Sequence, residues 1–146
     1  SMRVLLYDES QKYLEDYIEF WDKLNNRSLP ILDALCAQSF SFCDPYHNAR
    51  GVHEARDVLS HRQKVFTGGR YHVYDFMWGR REGTAYMHWS YTFRPKKKFL
   101  RKAQDDIVIG GMSKLVFLPD GQLLSHEDFF AAHDIEEMQA YKKLSQ

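Results

Sequence analysis

Leu14, Tyr17, Ile18 and Trp21 recur at i, i+3, i+4 and i+7, and Leu24 extends the same stripe. That spacing puts one apolar face on a helix over 10–25. Asn25-Asn26-Arg27 interrupts it. Ser28 is placed to cap a second short helix, with Pro30 in its first turn and Leu32 and Leu35 facing inward. The period then changes to two: Phe40, Phe42 and Asp44 share one strand face, and Ser39, Ser41 and Cys43 share the other. Pro45 ends that strand. A loop from Tyr46 to Gly51 leads into a third helix over 52–66, with Val52, Ala55, Leu59 and Phe66 on its buried side.

After Gly68-Gly69 the pattern is that of strands, over 71–78, 84–93, 107–118 and 123–130. Arg80 to Gly83 makes a polar turn, and Pro95 to Lys102 a basic loop read as a solvated connection rather than a phosphate site. Pro119-Asp120-Gly121 is a hairpin turn, because proline presets φ and glycine accepts positive φ. Asp134 can cap a last helix reaching Leu144. Helices set to one side of a long antiparallel meander define an α+β protein. The predicted architecture is a cone-shaped, curved antiparallel sheet wrapped around the N-terminal helices and enclosing one pocket, in a single domain over 3–146.

Composition narrows the picture. The chain has 146 residues, 44% hydrophobic and 15% aromatic, enough for a true core. Lys plus Arg equals Asp plus Glu at 20 each, so there is no electrostatic case for a nucleic-acid or membrane-surface partner. Cys36 and Cys43 lack Cys-x-x-Cys spacing and read as small packing residues in a reducing, cytoplasmic compartment. No charged segment precedes an apolar run at the N-terminus, so no signal peptide is expected. No stretch nears the ~18 apolar residues of a membrane span.

Three residues carry the candidate chemistry. Asp44 ends the face that holds Phe40 and Phe42. At an apolar mouth its pKa would rise by desolvation, making it a proton acceptor near neutral pH. In an Asp-Pro pair it equally reads as a turn cap. His126 and Asp128 stand at i and i+2 of the last strand and so share a face, where the carboxylate can orient the imidazole; a solvated polar face is the alternative. His47, Asn48 and Arg50 crowd the loop after Asp44. The histidines show no metal-ligand spacing, and no phosphate-binding, dinucleotide or Gly-x-Ser-x-Gly motif is present. No metal and no cofactor is expected.

The run Leu24-Asn25-Asn26-Arg27-Ser28-Leu29, the strand Phe40-Ser41-Phe42-Cys43-Asp44-Pro45 and Arg50-Gly51 opening a helix resemble the nuclear transport factor 2-like superfamily. Asp120-Gly121-Gln122-Leu123 followed by His126-Glu127-Asp128-Phe129-Phe130 resembles its SnoaL-like branch. The likeness covers about 10–130. It implies a cone pocket for a small apolar molecule and a homodimer paired through the open sheet face. Within that superfamily, ketosteroid isomerase carries its base in an Asp-Pro pair, matched by Asp44-Pro45. The position of its oxyanion tyrosine falls on Phe20 and that of its protonated aspartate near Ser113, so steroid isomerisation by that mechanism is not implied. Limonene epoxide hydrolase uses an Asp-Arg-Asp set, for which no arginine stands out. The resemblance implies acid-base work by Asp44, His126 and Asp128, in a pocket lined by Phe20, Phe42, Trp89 and Ser113. Two function classes follow: an isomerase- or cyclase-type enzyme without cofactor, or a non-catalytic ligand-binding or dimerisation module.

Overall fold

The structure, a computed structural model, describes residues 7–96, 105–130 and 141–146. Helix α1 is Tyr7–Asp22, and its predicted stripe is its buried face: Leu14, Tyr17, Ile18 and Trp21 are all buried. The chain then turns on Asn25, whose side-chain oxygen accepts from the backbone N–H of Arg27 and Ser28 at 2.8 and 3.2 Å. Ser28 does not cap the next helix, contrary to expectation. Its hydroxyl bonds back to Asn25, and Pro30 takes the N-cap position of α2, Ile31–Leu35.

Strand β1 is Cys36–Asp44 and β2 is His47–Arg50. The expected loop after Pro45 is therefore a hairpin, with Asp44 opposite His47. Helix α3 is Val52–Val65, followed by β3 (Phe66–Trp78), β4 (Thr84–Pro95), β5 (Ile107–Phe117) and β6 (Leu123–Phe130). Strand β3 begins before the two glycines rather than after them. The register against β4 shifts between Thr67 and Arg70, and Gly68 there holds φ +65°, a conformation that side chains resist, so the pair forms a bulge instead of a breaker. The basic loop beyond Lys96 and the capping position Asp134 lie outside the described residues.

The six strands form one sheet in the order β2-β1-β6-β5-β4-β3. The β1–β6 pairing is parallel and the other four are antiparallel. The sheet curves without closing, and α1 and α3 pack on its inner face. The chain thus has the α+β cone expected of it. The parallel pairing positions the site: Phe42 lies beside His126 and Cys43 beside Glu127, so the face carrying Phe42 and Asp44 continues directly into the face carrying His126 and Asp128. Trp21 of α1 seals this face, with its ring centroid 6.3 Å from Phe42 and 5.1 Å from His126.

Candidate functional site

Two buried polar clusters occupy the inner face. In the first, His126 Nε2 lies 2.5 Å from Asp128 Oδ1, and Nδ1 lies 2.6 Å from the Tyr17 hydroxyl. A carboxylate only accepts, so Nε2 carries the proton, and a neutral ring accepts from Tyr17 at Nδ1. Asp128 also accepts from the Ser113 hydroxyl, which accepts in turn from Trp89 Nε1–H at 2.8 Å. Every donor in this chain has one acceptor. His126 and Ser113 are each 1% exposed, a depth at which an unpaired polar group is costly. Burial pushes the Tyr17 phenol well above its ordinary range and keeps it a donor.

The second cluster centres on Asp44. Its Oδ1 accepts from the backbone N–H of Tyr46 and His47, each at 2.8 Å, which is the turn-capping arrangement. His47 Nδ1 lies 2.8 Å from the same oxygen. Oδ2 accepts from Arg62 Nη2 at 2.7 Å, and Arg62 Nη1 donates to the Tyr71 hydroxyl at 2.8 Å. Arg62 is 2% exposed. This corrects the expected electrostatics of Asp44. Burial does push its carboxyl up, but the His47 bond, the Arg62 charge and the Tyr46 N–H together outweigh burial and hold it below the usual carboxylate range.

A carboxyl with a depressed pKa stabilises the fold fully above its unfolded value, about 3.9. That contribution is lost as pH falls through the lower folded value. Denaturant melts from pH 6 to pH 2 are therefore expected to show stability falling in the acid range. Asp44→Asn is expected to start less stable and to flatten that fall. An unchanged slope in the variant would remove Asp44 from the account.

The C-terminal residues lie over the same end of the sheet. His47 Nε2 donates to the Ser145 carbonyl and His61 Nε2 to the Leu144 carbonyl, each at 2.9 Å. Tyr141 packs against Phe66, Phe93 and Phe130, with its ring 5.4 Å from the Arg62 guanidinium carbon. Asp44, His126 and Asp128 thus share one interior, but side chains fill it around them.

Open space lies beside the clusters. A cavity of about 230 Å³ is bounded by Leu24, Leu59, Arg62, Gln63, Tyr71 and Tyr91. Arg62 and Tyr71 are its link to Asp44. Phe42, Trp89 and Ser113, expected as lining, do not bound this cavity, because they are packed into the core and the Trp89–Ser113 hydrogen bond. Phe20 faces a different hollow, a groove of about 390 Å³ between α1 and α2 with Ile31 and Leu35. The groove is larger, but neither polar cluster reaches it. Among the described residues no group of three or more His, Cys, Asp or Glu side chains is arranged to hold a metal ion.

Two residues of the site escaped the sequence reading. Tyr17 was counted only as part of an apolar stripe, although its hydroxyl sits one helical turn before Phe20 and supplies the inward-facing phenol that Phe20 lacks. Arg62 falls three residues after Leu59 and four before Phe66, within the apolar face of α3. A charge at such a position is the signal that could have found it.

No protein-family model matches the chain, and no curated protein sequence matches it. Solved structures do. A putative SnoaL-like polyketide cyclase from Jannaschia sp. CCS1 superposes with a TM-score of 0.71 at 9% identity, over 99% of this chain and 97% of its own. A steroid delta-isomerase from Pseudomonas aeruginosa gives 0.67 at 14% identity, over 98% and 93%. A nuclear transport factor 2-like protein of unknown function from Exiguobacterium sp. 255-15 gives 0.67 at 10%, over 82% and 98%. The chain has the nuclear transport factor 2-like fold that SnoaL-like and ketosteroid isomerase-like proteins share. At these identities the likeness concerns the fold and not an activity.

Proposed function

We propose that this protein binds a small, largely apolar molecule in the cavity beside Arg62, and that Asp44 is a structural anchor for that arginine rather than a base. The observation that carries the reading is the cavity itself, walled by Leu24 and Leu59 and floored by a buried arginine already fixed by Asp44 and Tyr71. The lining is about half apolar and half polar, with Asn25 and Asn26 beside Leu24, and a concave site with a few fixed polar groups to orient a ligand is the usual make-up of a binding pocket. The polyketide cyclase and steroid isomerase neighbours, both named for reactions of small organic molecules, agree with that class of ligand. Leu24 is half-buried at the cavity's edge, so Leu24→Trp is expected to fill the space and leave the fold intact. Small neutral aromatic compounds that raise the melting temperature of the wild type should fail to do so in this variant. An equal rise in both places the ligand elsewhere.

A second reading keeps chemistry in the same interior. The Tyr17–His126–Asp128 chain is ordered as an orienting carboxylate, an imidazole and a phenol, a set suited to isomerase- or cyclase-type proton transfer. None of the three lines the cavity beside Arg62, so this reading requires the interior to open onto the chain and a bound compound to be turned over. Binding without turnover leaves the non-catalytic reading alone.

We also propose a homodimer paired through the outer sheet face. Met112 lies opposite His88 and Phe129, and Tyr74 packs on His88. Tyr74 is 58% exposed and Phe129 54%, apolar surface that is costly to leave in water. Light scattering at micromolar concentration is expected to give twice 17.3 kDa, and Met112→Lys to shift it toward the single mass. A single mass for the wild type contradicts the dimer.

A further inference from the structure

Both ring nitrogens of His47 face oxygens that can only accept. Nδ1 lies 2.8 and 3.0 Å from the two oxygens of Asp44, and Nε2 lies 2.9 Å from the Ser145 carbonyl. A neutral imidazole has one N–H and can answer only one of these sides, whereas the imidazolium has two and answers both. Burial opposes it, yet the His47 bond and the Arg62 charge hold the Asp44 carboxyl low, so Asp44 stays an acceptor through the neutral range. The geometry is that of a charged ring, bridging a buried carboxylate to the C-terminal residues.

Two other side-chain bonds hold the same stretch, and neither needs that second proton. His61 Nε2–H meets the Leu144 carbonyl in a neutral tautomer, and no partner of its Nδ1 is seen among the described residues. The Gln146 amide donates to the Tyr46 carbonyl at 3.3 Å. Tyr141, on the same stretch, lies against Phe66, Phe93 and Phe130 with the Arg62 guanidinium at its face. The charged and titratable groups around the His47 ring are Asp44 on β1, Arg62 and His61 on α3, and Tyr141 and Lys142, whose ammonium lies 5.7 Å from the Tyr46 ring centroid. Asp128 on β6 lies within the electrostatic reach of Arg62. Asp44 favours a second proton on His47, while Arg62, bonded to the other Asp44 oxygen, and Lys142 oppose one.

We propose that His47 is a proton-operated latch. The charged ring fastens residues 141–146 over the Asp44–Arg62 pair, and the neutral ring loosens them. Histidine exchanges this proton near neutral pH. When Nδ1 keeps the remaining proton for Asp44, Nε2 turns a lone pair to the Ser145 carbonyl and the bond is lost. Opening of the stretch then becomes about 10–100-fold more frequent, the worth of one hydrogen bond to a charged group. Each opening lifts Tyr141 from Arg62 and uncovers the interior. The latch is independent of what the cavity between Leu24 and Leu59 takes.

NMR of the full chain tests both halves of the proposal. The ring nitrogen signals of His47 are expected to report two N–H groups at pH 5.5 and one at pH 8. Over the same range the hydrogen-exchange protection of the Leu144, Ser145 and Gln146 amides, corrected for the intrinsic pH dependence of exchange, is expected to fall about 10–100-fold. Protection of the Trp89 amide, in the middle of β4, is expected to stay level. His47→Gln lacks the second donor at every pH, so its C-terminal protection should be low at pH 5.5 and unchanged at pH 8. His61→Gln loses a bond that needs no second proton, so its protection should start lower and still fall with pH. A His47 ring with one proton at pH 5.5 overturns the proposal. So does C-terminal protection that stays level in the wild type, a fall that survives His47→Gln, or an equal fall at Trp89.

Discussion

Arg62→Ala is expected to cost about 3–5 kcal/mol, the usual penalty for stripping one partner from a buried ion pair. The variant removes the cation facing Asp44 Oδ2 and the donor to Tyr71, and it leaves the carboxylate, whose side chain is 0% exposed, to be neutralised or hydrated in the interior. Against a whole-domain stability of about 5–15 kcal/mol this is a large fraction. Urea unfolding followed by tryptophan fluorescence measures it, and a loss under about 1 kcal/mol would mean that water reaches Asp44 freely. The double replacement Arg62→Met with Asp44→Asn separates structure from function. It removes both charges and keeps an Oδ1 acceptor for the Tyr46 and His47 N–H groups, so stability should recover in part, while the ligand site, deprived of its arginine, stays empty.

Tyr141→Ala is the second large effect, about 3–5 kcal/mol by analogy with other buried aromatic truncations. The ring is 2% exposed and touches Phe66, Phe93, Phe130 and Tyr46, with the Arg62 guanidinium at its face. Its removal opens the interior directly above the Asp44–Arg62 pair. Tyr141→Phe keeps the ring, and no hydrogen bond of its hydroxyl is seen among the described residues, so this control is expected to stay within about 1 kcal/mol of the wild type. Thermal and urea unfolding of the two variants test the pair. Equal stability in all three proteins would show that the C-terminal residues do not cover the cone.

The parts of this fold that repeat with a fixed period were legible in the sequence. The α1 stripe, the alternation through Phe40, Phe42 and Asp44, and the Pro119-Asp120-Gly121 turn each rest on local geometry, and each is where the pattern placed it. In that turn Gly121 holds φ +90°, as the glycine implied. What was misplaced depends on partners far along the chain. The Gly68-Gly69 pair marks a break by composition, yet β4 provides a pairing partner across it and converts it to a bulge. The parallel β1–β6 pairing joins segments more than 80 residues apart and leaves no local mark.

The site was legible in its members and not in their state. Spacing put His126 and Asp128 on one strand face, and only the family resemblance turned that face inward. The sign of the Asp44 shift was not foreseen, because desolvation follows from apolar neighbours in sequence, whereas the opposing charge comes from Arg62 on another element. His47, three residues on, was in view as a loop residue, but its ring position is set by the β1–β2 hairpin and by the Ser145 carbonyl.

The central claim is that ligand enters beside Arg62 and not elsewhere. A crystal structure of the protein soaked with small neutral aromatic compounds that raise its melting temperature tests this most directly. The expected result is density between Arg62, Gln63 and Tyr91, beneath Leu24, with Asp44 still bonded to Arg62. Density confined to the groove between Phe20, Ile31 and Leu35, with the Arg62 cavity empty, would contradict it.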